Sequence, residues 1–272
     1  HQGVDGIFSD GPEELHYADA VYCMSSAELP PSSRIVYASG SAASVVTFFE
    51  TESLVFLGYD WYASRSDDDD YSANYANWET VLGISISASI GHIPTEMPSE
   101  LPTPVPGSPT IVPTTTLYPT FNVSETINVL VLMDSDYVHT SEEARHLVND
   151  IHETGLPVNV YEVTKYNTGD IASGLLNGYN VFIIPEQEKN LFDSALSASD
   201  RTELQTFVES SRGRMIVSGD SRAYHSVLLN NVFSFSLNEF ETGCETTYHQ
   251  GVDGIFSDGP EELHYANAVF CM

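Results

Sequence analysis

The chain carries the same 24-residue segment twice. Residues 1–24 read HQGVDGIFSDGPEELHYADAVYCM, and residues 249–272 read HQGVDGIFSDGPEELHYANAVFCM. The two segments are 248 residues apart, and they differ only at Asp19/Asn267 and Tyr22/Phe270. A fixed period of this kind indicates a tandem repeat. We therefore interpret the chain as one period of a longer array, cut inside one copy and ending inside the next.

The charge of the chain restricts its partners. Acidic residues outnumber basic residues by 39 to 9, which gives a formal net charge of −30. Such a surface repels nucleic acid and anionic membranes, so neither is an expected partner. No run approaches the roughly 18 apolar residues of a membrane helix, and we expect no membrane insertion in this segment.

The chain has three cysteines, but the repeat implies two in each copy. Cys23 and Cys271 occupy the same position in the two copies, and Cys244 precedes Cys271. We predict a Cys244–Cys271 disulfide, which would stabilise the copy by about 3–4 kcal/mol, with Cys23 paired to a residue outside the chain. The alternative is a pair of buried free thiols.

Residues 93–125 form a linker in this interpretation. Eight of the 14 prolines of the chain fall here, which predicts an extended polyproline II segment of about 100 Å at ~3.1 Å per residue. Interleaved Pro, Thr and Ser are typical of O-glycosylated stalks. The candidate O-glycosylation sites are Thr95, Thr103, Ser108, Thr110, Thr114, Thr115, Thr116 and Thr120. Asn122 begins an N-glycosylation sequon, and together with the disulfide these features predict a secreted, extracellular or cell-surface protein.

Residues 1–92 are interpreted as the C-terminal half of one repeat's domain. Residues 34–38, 43–49 and 53–59 are rich in β-branched and aromatic residues and are predicted strands. The third is almost continuously apolar, which is typical of a strand buried on both faces. A helix is predicted over residues 75–82. The acidic loop before it supplies candidate Ca²⁺ ligands in Asp67, Asp68, Asp69 and Asp70, although a charge run is more often simply solvated.

Residues 126–272 are interpreted as the N-terminal part of the next repeat's domain. Strands predicted at residues 127–133, 158–163, 181–184 and 215–217 alternate with helices, which indicates a parallel sheet. Thr140 and Glu143 suggest a capping box for the first helix, and Gly155 its end. Residues 171–176 suggest a short helix, Ser199 caps the next, and a last helix spans residues 221–230.

Joined through the repeat, residues 126–248 and 1–92 make one domain. We predict an α/β fold with a parallel sheet, helices on both faces and an added β-rich C-terminal part. Left alone, the strands of residues 1–92 would expose apolar faces and an unpaired edge. Residues 126–248 of some copy must therefore cover them, and in an array that copy is the preceding one.

Several stretches resemble the class I glutamine amidotransferase-like superfamily of flavodoxin-like domains. They are INVLVLMDSD, YNVFIIPEQE, RTELQTFVESSRGRMIVSGDSR and SLVFLGYDWY. The resemblance implies a catalytic cysteine on the turn after the strand that ends at Val217. The turn has no cysteine, so we predict that the chain is not an enzyme. Ser221 and His225 lack a visible third group to orient them, and Ser221 or Asp220 is better explained as a helix cap.

The remaining ionisable residues suggest no cofactor. His146 and His152 are six residues apart, which does not align two ligands on one helix face. Asp134 and Asp136 follow a strand and are further Ca²⁺ candidates, without an EF-hand pattern. The prediction is therefore no cofactor, with Ca²⁺ as the one alternative.

The function predicted from these features is structural. Near-identical acidic domains joined by glycosylated rods suit a secreted filament or cell-surface appendage that assembles head to tail, with copies of itself as partners and attached glycans. The alternative is a secreted amidotransferase-like hydrolase, or a carbohydrate-binding module, displayed in tandem.

Overall fold

The structure is a computed structural model that describes residues 22–39, 43–61, 69–87, 126–210, 212–220 and 222–238. For residues 14–15, 39, 69–76 and 248–250 it describes the backbone only. The described strands β1 to β10 are Glu14–Leu15, Met24–Ser25, Ser33–Ser39, Ala43–Phe49, Leu54–Leu57, Ile127–Leu132, Val158–Val163, Val181–Ile184, Arg214–Ser218 and Tyr248–Gln250. The described α-helices α1 to α4 are Asp69–Ser87, Glu143–Glu153, Ala198–Glu209 and Tyr224–Phe233.

All ten strands belong to one mixed sheet. Nine of them stand in the order β1-β10-β3-β4-β5-β9-β8-β6-β7, and β2 pairs beside β4. Strands β7, β6, β8, β9 and β5 are parallel, whereas β5, β4, β3, β10 and β1 are joined by antiparallel pairs. The predicted α/β class and parallel sheet are therefore confirmed, with an antiparallel extension.

The parallel part of the sheet is covered on both faces. Every residue of β5, β8 and β9 is buried. These strands read as nearly continuous apolar runs, as expected where helices cover both faces of a sheet. Helix α1 packs against α2, and α3 packs against α4. The prediction that β5 is buried on both faces is confirmed.

The two parts of the chain on either side of the linker share one core. Strand β5 pairs in parallel with β9, so that Val55 lies opposite Ile216. The rings of Phe49 and Phe235 stack with their centroids 5.0 Å apart. The indole Nε1 of Trp61 donates a hydrogen bond to Ser218 Oγ at 3.3 Å. Residues 126–248 do cover residues 1–92, as predicted, but they belong to the same chain. The prediction that a preceding copy supplies this cover is not what the structure shows.

The same edge of the sheet contains parts of both repeated segments. Glu14 of the first segment lies opposite His249, the first residue of the second, and Leu15 lies opposite Tyr248. On its other side β10 pairs with β3, with His249 opposite Ala38. Residues 249–272 were predicted to adopt the conformation of residues 1–24. No residue of one segment is described together with its copy in the other, so this stays a prediction.

Several helix predictions need correction. Helix α1 is longer than predicted and includes Asp69 and Asp70, which were predicted to lie in a loop. Helix α3 is capped by Ser197, whose Oγ accepts from Asp200 N, and Ser199 lies within the helix. Helix α4 begins at Tyr224, three residues later than predicted, because Asp220 Oδ1 accepts the N–H groups of Arg222 and Tyr224.

The short helix predicted at residues 171–176 is replaced by a series of turns. Gly169, Gly174 and Gly178 have φ angles of 96°, 102° and 86°. These left-handed conformations interrupt any helical run and are favourable only for glycine. Gly155, with φ 72°, follows α2 and ends it as predicted.

Candidate functional site

Acidic residues from four parts of the fold meet at the carboxyl ends of the parallel strands. Asp60 follows β5, Glu186 and Glu188 follow β8, and Asp220 follows β9, while Glu143 begins the helix after β6. This edge is where open α/β sheets bind ligands. The five residues interact: the charge of Asp60 raises the pKa of both Glu143 and Glu186. We call these five residues the carboxyl-edge cluster.

Glu186 is a deeply buried carboxyl of this cluster, and it contacts the first repeated segment. Its Oε1 accepts from the Tyr22 hydroxyl at 2.8 Å, while Oε2 has no hydrogen-bond partner among the described residues. Burial, followed by the charge of Asp60, raises the pKa of Glu186 well above its usual value. Burial and the charge of Glu186 also raise the pKa of Tyr22, so its hydroxyl remains a donor. Tyr22 is one of the two positions at which the copies differ, and Phe270 lacks this hydroxyl.

A second group of carboxylates surrounds His139 in the loop between β6 and α2. The imidazole Nδ1 lies 3.1 Å from Glu142 Oε2, 3.1 Å from Glu188 Oε2 and 3.6 Å from Glu143 Oε2. Glu143 is buried, and this burial raises its pKa to about 7, with Glu188 and Asp60 adding to the shift and His139 opposing it. The buried carboxyl of Glu143 is therefore easily protonated near neutral pH.

This position of Glu143 corrects the predicted capping box with Thr140. Helix α2 begins at Glu143 itself, its N-cap residue is Glu142, and no side chain caps it. Glu143 would need to be the third residue of the helix to complete the box. The helix begins later than predicted, and the Glu143 side chain instead faces His139.

Asp220 and His225 form a buried pair at the start of α4. Asp220 Oδ2 accepts from His225 N at 2.7 Å and lies 2.9 Å from His225 Nδ1. The sequence showed no group that could orient His225 beside Ser221, and the structure provides Asp220 for that role. However, the same carboxylate caps α4, whose N-cap residue Ala223 has a φ of 54° and only a methyl side chain. The predicted capping role of Asp220 is confirmed, while Ser221 lies outside the described residues.

The Ca²⁺ candidates Asp134 and Asp136 are already paired. The Asp134 carboxylate is buried and accepts from Asp136 N at 3.0 Å and Tyr166 N at 2.7 Å. Lys165 Nζ lies 2.5 Å from Asp136 Oδ2 and 3.7 Å from Asp134 Oδ2. The ammonium group of Lys165 therefore lies where a Ca²⁺ ion would have to bind these two carboxylates.

The other predicted sites are mostly outside the described part of the chain. This holds for Cys244, Cys271, Asp67, Asp68, the sequon at Asn122 and all eight O-glycosylation candidates. Cys23 is buried and disulfide-bonded, and the chain holds only two other cysteines. The predicted partner of Cys23 outside the chain is therefore wrong, and the predicted Cys244–Cys271 bond is wrong with it, because one of those two thiols is already used. The glycosylation sites stay predictions. His146 was predicted to be solvated, but it is half-buried, with Nδ1 3.1 Å from the Trp61 carbonyl.

Comparison with protein families, curated proteins and solved structures finds no match to this chain. Within the described ranges, no helix has both the length and the apolar character to cross a membrane.

The sequence contains a signal for the carboxyl-edge cluster, although the cluster was not among the predicted sites. Asp60, Glu186 and Asp220 each follow a buried apolar strand by two or three residues. Polar residues at such positions lie at the ligand-binding edge of a parallel sheet. Tyr22 and His139 carry no comparable signal, because their positions depend on loops.

Proposed function

We propose that the chain is the repeat unit of a secreted, glycosylated extracellular filament or surface appendage. Its domains are assembled from sequence on both sides of the repeated segment, and extended linkers join them head to tail. Each linker leaves one domain after α1 and enters the next before β6. The proposal rests on the order of the parallel strands.

The parallel strands stand in the order β7-β6-β8-β9-β5. In a chain that runs from residue 126 through the repeat and into the next copy, β6 comes first and β5 comes fifth. The order is then 2-1-3-4-5, which is that of flavodoxin-like folds. In the numbering of this chain, the fifth strand precedes the other four. A path through the repeat therefore gives the flavodoxin-like order directly. In the present chain the same order requires a circular permutation, with the fifth strand placed before the first.

The antiparallel pair of β1 and β10 supports the same path. The period of 248 residues places copies of Glu14 and Leu15 at Glu262 and Leu263. In an array, residues 248–250 and 262–263 lie in one continuous stretch and are separated only by residues 251–261. A connection of that length can join two antiparallel neighbours. The observed pairing of Glu14 with His249 is thus the one that a continuous chain would make locally.

The fold we propose is flavodoxin-like and similar to the class I glutamine amidotransferases, without their cysteine chemistry. Among the described residues of the turn after β9, Asp220 caps α4 and Ala223 offers only a methyl group. The sequence of this turn, residues 218–222, contains no cysteine, and that absence of the family's nucleophile is what favours a structural role over a cysteine hydrolase.

Electron microscopy of a chain with four periods tests this function. Secreted from eukaryotic cells, it should form a row of compact domains at one regular spacing, with an intact mass raised by glycans. The control replaces residues 93–125 with a Gly/Ser linker of equal length. Its span should fall from about 100 Å to about 30 Å, since a flexible coil extends as roughly 5–6 Å × √n. An unglycosylated linker, or equal spacing in both chains, would contradict the proposal.

A further inference from the structure

We propose that His139, Glu142, Glu143 and Glu188 bind a divalent transition-metal ion of the Zn²⁺ type. The four residues are called the His139 site below. The inference does not depend on the proposed assembly, because all four belong to the part of the domain that follows the linker.

The spacing of the ligand atoms fits a metal centre. Nitrogen and oxygen ligands lie about 2.0–2.1 Å from Zn²⁺ in tetrahedral sites, which puts neighbouring ligand atoms roughly 3.3 Å apart. The distances from His139 Nδ1 to the three carboxylate oxygens are 3.1, 3.1 and 3.6 Å. The ligand atoms of His139, Glu142 and Glu143 all lie within 4.8 Å of one another. One ion can therefore contact these three with little movement, and Glu188, whose Oε2 is 3.1 Å from His139 Nδ1, is the fourth candidate ligand.

The hydrogen bonds of the site are incomplete without a cation. The imidazole Nδ1 can carry one proton and donate it to one acceptor, and its hydrogen-bond partner is Glu142. Oε2 of Glu143 and Oε2 of Glu188 are buried and have no hydrogen-bond partner among the described residues. The Glu143 side chain is only 6% exposed, and a buried carboxylate without a donor or cation is unfavourable. A metal ion at this point would bind the oxygens of all three carboxylates, whereas the single Nδ1 proton can be donated to only one of them.

The surrounding charges favour a cation. Asp60 and Glu188 both act on Glu143 as further negative charges, and the chain carries a net charge of −30. Arg222 also interacts with Glu188, but its guanidinium donates to the Lys189 carbonyl at 3.3 Å and to Tyr224. The guanidinium of Arg222 therefore makes its hydrogen bonds outside the His139 site.

The ligand types select the class of metal. Ca²⁺ takes six to eight oxygen ligands, whereas this site offers one imidazole nitrogen with carboxylates. Zn²⁺ accepts both imidazole and carboxylate and is satisfied by four ligands. Half-exposed His139 and Glu142 leave the ion a path from solvent, since their side chains are 40% and 48% exposed.

Calorimetric titration of the metal-stripped 272-residue chain with ZnCl₂ tests the site, with CaCl₂ as a separate titration. The expected result is a single high-affinity equivalent of Zn²⁺ and no comparable Ca²⁺ binding. His139→Ala and the isosteric Glu143→Gln should each weaken Zn²⁺ binding at least tenfold. The matched control is His152→Ala, an exposed histidine in the last turn of α2, which should leave the affinity unchanged.

A second measurement covers the variants that fold poorly. In the wild-type chain, nitrogen NMR of His139 should show Nδ1 losing its proton when Zn²⁺ is added. If wild type binds no more Zn²⁺ than His139→Ala, or if Nδ1 keeps its proton at saturation, the site is an imidazolium surrounded by carboxylates and the proposal is wrong. Binding of Ca²⁺ in preference to Zn²⁺ would also overturn it.

Discussion

Asp200→Ala is expected to lower the free energy of unfolding by about 3–4 kcal/mol. The carboxylate is buried and accepts from Gly169 N at 2.8 Å, Ala172 N at 2.9 Å and Ser197 N at 2.9 Å. It also forms the capping box of α3 with Ser197. One hydrogen bond to a charged acceptor contributes about 1.5–3 kcal/mol and a cap about 1 kcal/mol, and bonds that share one carboxylate do not add in full. Denaturant unfolding followed by the fluorescence of buried Trp61 and Trp78 measures the change.

The same residue predicts a dependence on pH. Burial alone would raise the pKa of Asp200, but the hydrogen bonds from Ser197, Ala172 and Gly169 outweigh it and lower the pKa from 3.8 to about 2. A lowered pKa stabilises the fold above pH 3.8 and loses that contribution, about 2 kcal/mol, as the pH falls through 2. Asp200→Asn should remove this acid-sensitive contribution. Glu209→Gln, at an exposed site on the same helix, should change stability by less than about 0.5 kcal/mol. Equal effects of Asp200→Asn and Glu209→Gln would contradict the assignment.

Gly58→Ala is expected to cost about 3 kcal/mol or more. A Cβ atom at Gly58 would lie 1.9 Å from the Tyr22 carbonyl oxygen and 2.9 Å from that of Val45. Both neighbours are backbone atoms held by hydrogen bonds, Tyr22 N to Gly58 O at 2.7 Å and Gly58 N to Val45 O at 2.8 Å. Overpacking against backbone therefore forces the repeated segment away from β5. The measurement is the free energy of unfolding, supplemented by hydrogen exchange of the Tyr22 amide.

Gly178→Ala is the matched control for this substitution. Gly178 has a φ of 86°, and a Cβ atom there would meet nothing within 4 Å. Its cost should be limited to the left-handed backbone, about 1–2 kcal/mol. If Gly58→Ala costs no more than Gly178→Ala, the repeated segment does not pack against β5 as described.

Local sequence predicted the strands well because their patterns are strong. The apolar runs of β5, β6, β8 and β9 have the composition of strands buried on both faces, and the structure contains all four. Helix starts were predicted less well, because long-range contacts decide them. Asp200 binds the backbone of residues 169–172 and helps to hold them in turns, where the sequence suggested a helix.

The carboxyl-edge cluster could be predicted only in part. Asp60 and Glu186 are far apart in sequence, and they meet because β5 is inserted beside β9 and one strand away from β8. That order depends on which copy supplies β5, and no local pattern contains this information. Glu143 was predicted to complete a capping box because its spacing from Thr140 matches that motif. Its burial beside His139, which raises its pKa, depends on the tertiary fold and has no local sequence signal.

The central claim is that one domain is built from residues 126–248 and the sequence that directly follows them through the repeat. A two-period chain tests it, with a specific protease site inserted in each linker, at residues 93–125 and at their copies 248 positions later. Cleavage of both linkers releases a middle fragment that begins at residue 126 and ends after the next copy of α1. The measurement is the native mass of this fragment compared with its mass under denaturing conditions.

We expect the two masses to agree, because the middle fragment contains every strand of one domain and should be a compact monomer with cooperative unfolding. If each domain instead closes across its own linker, the middle fragment contributes to two domains. It would then remain bound to both end fragments in a complex with the mass of the whole two-period chain. That result would contradict assembly through the repeat.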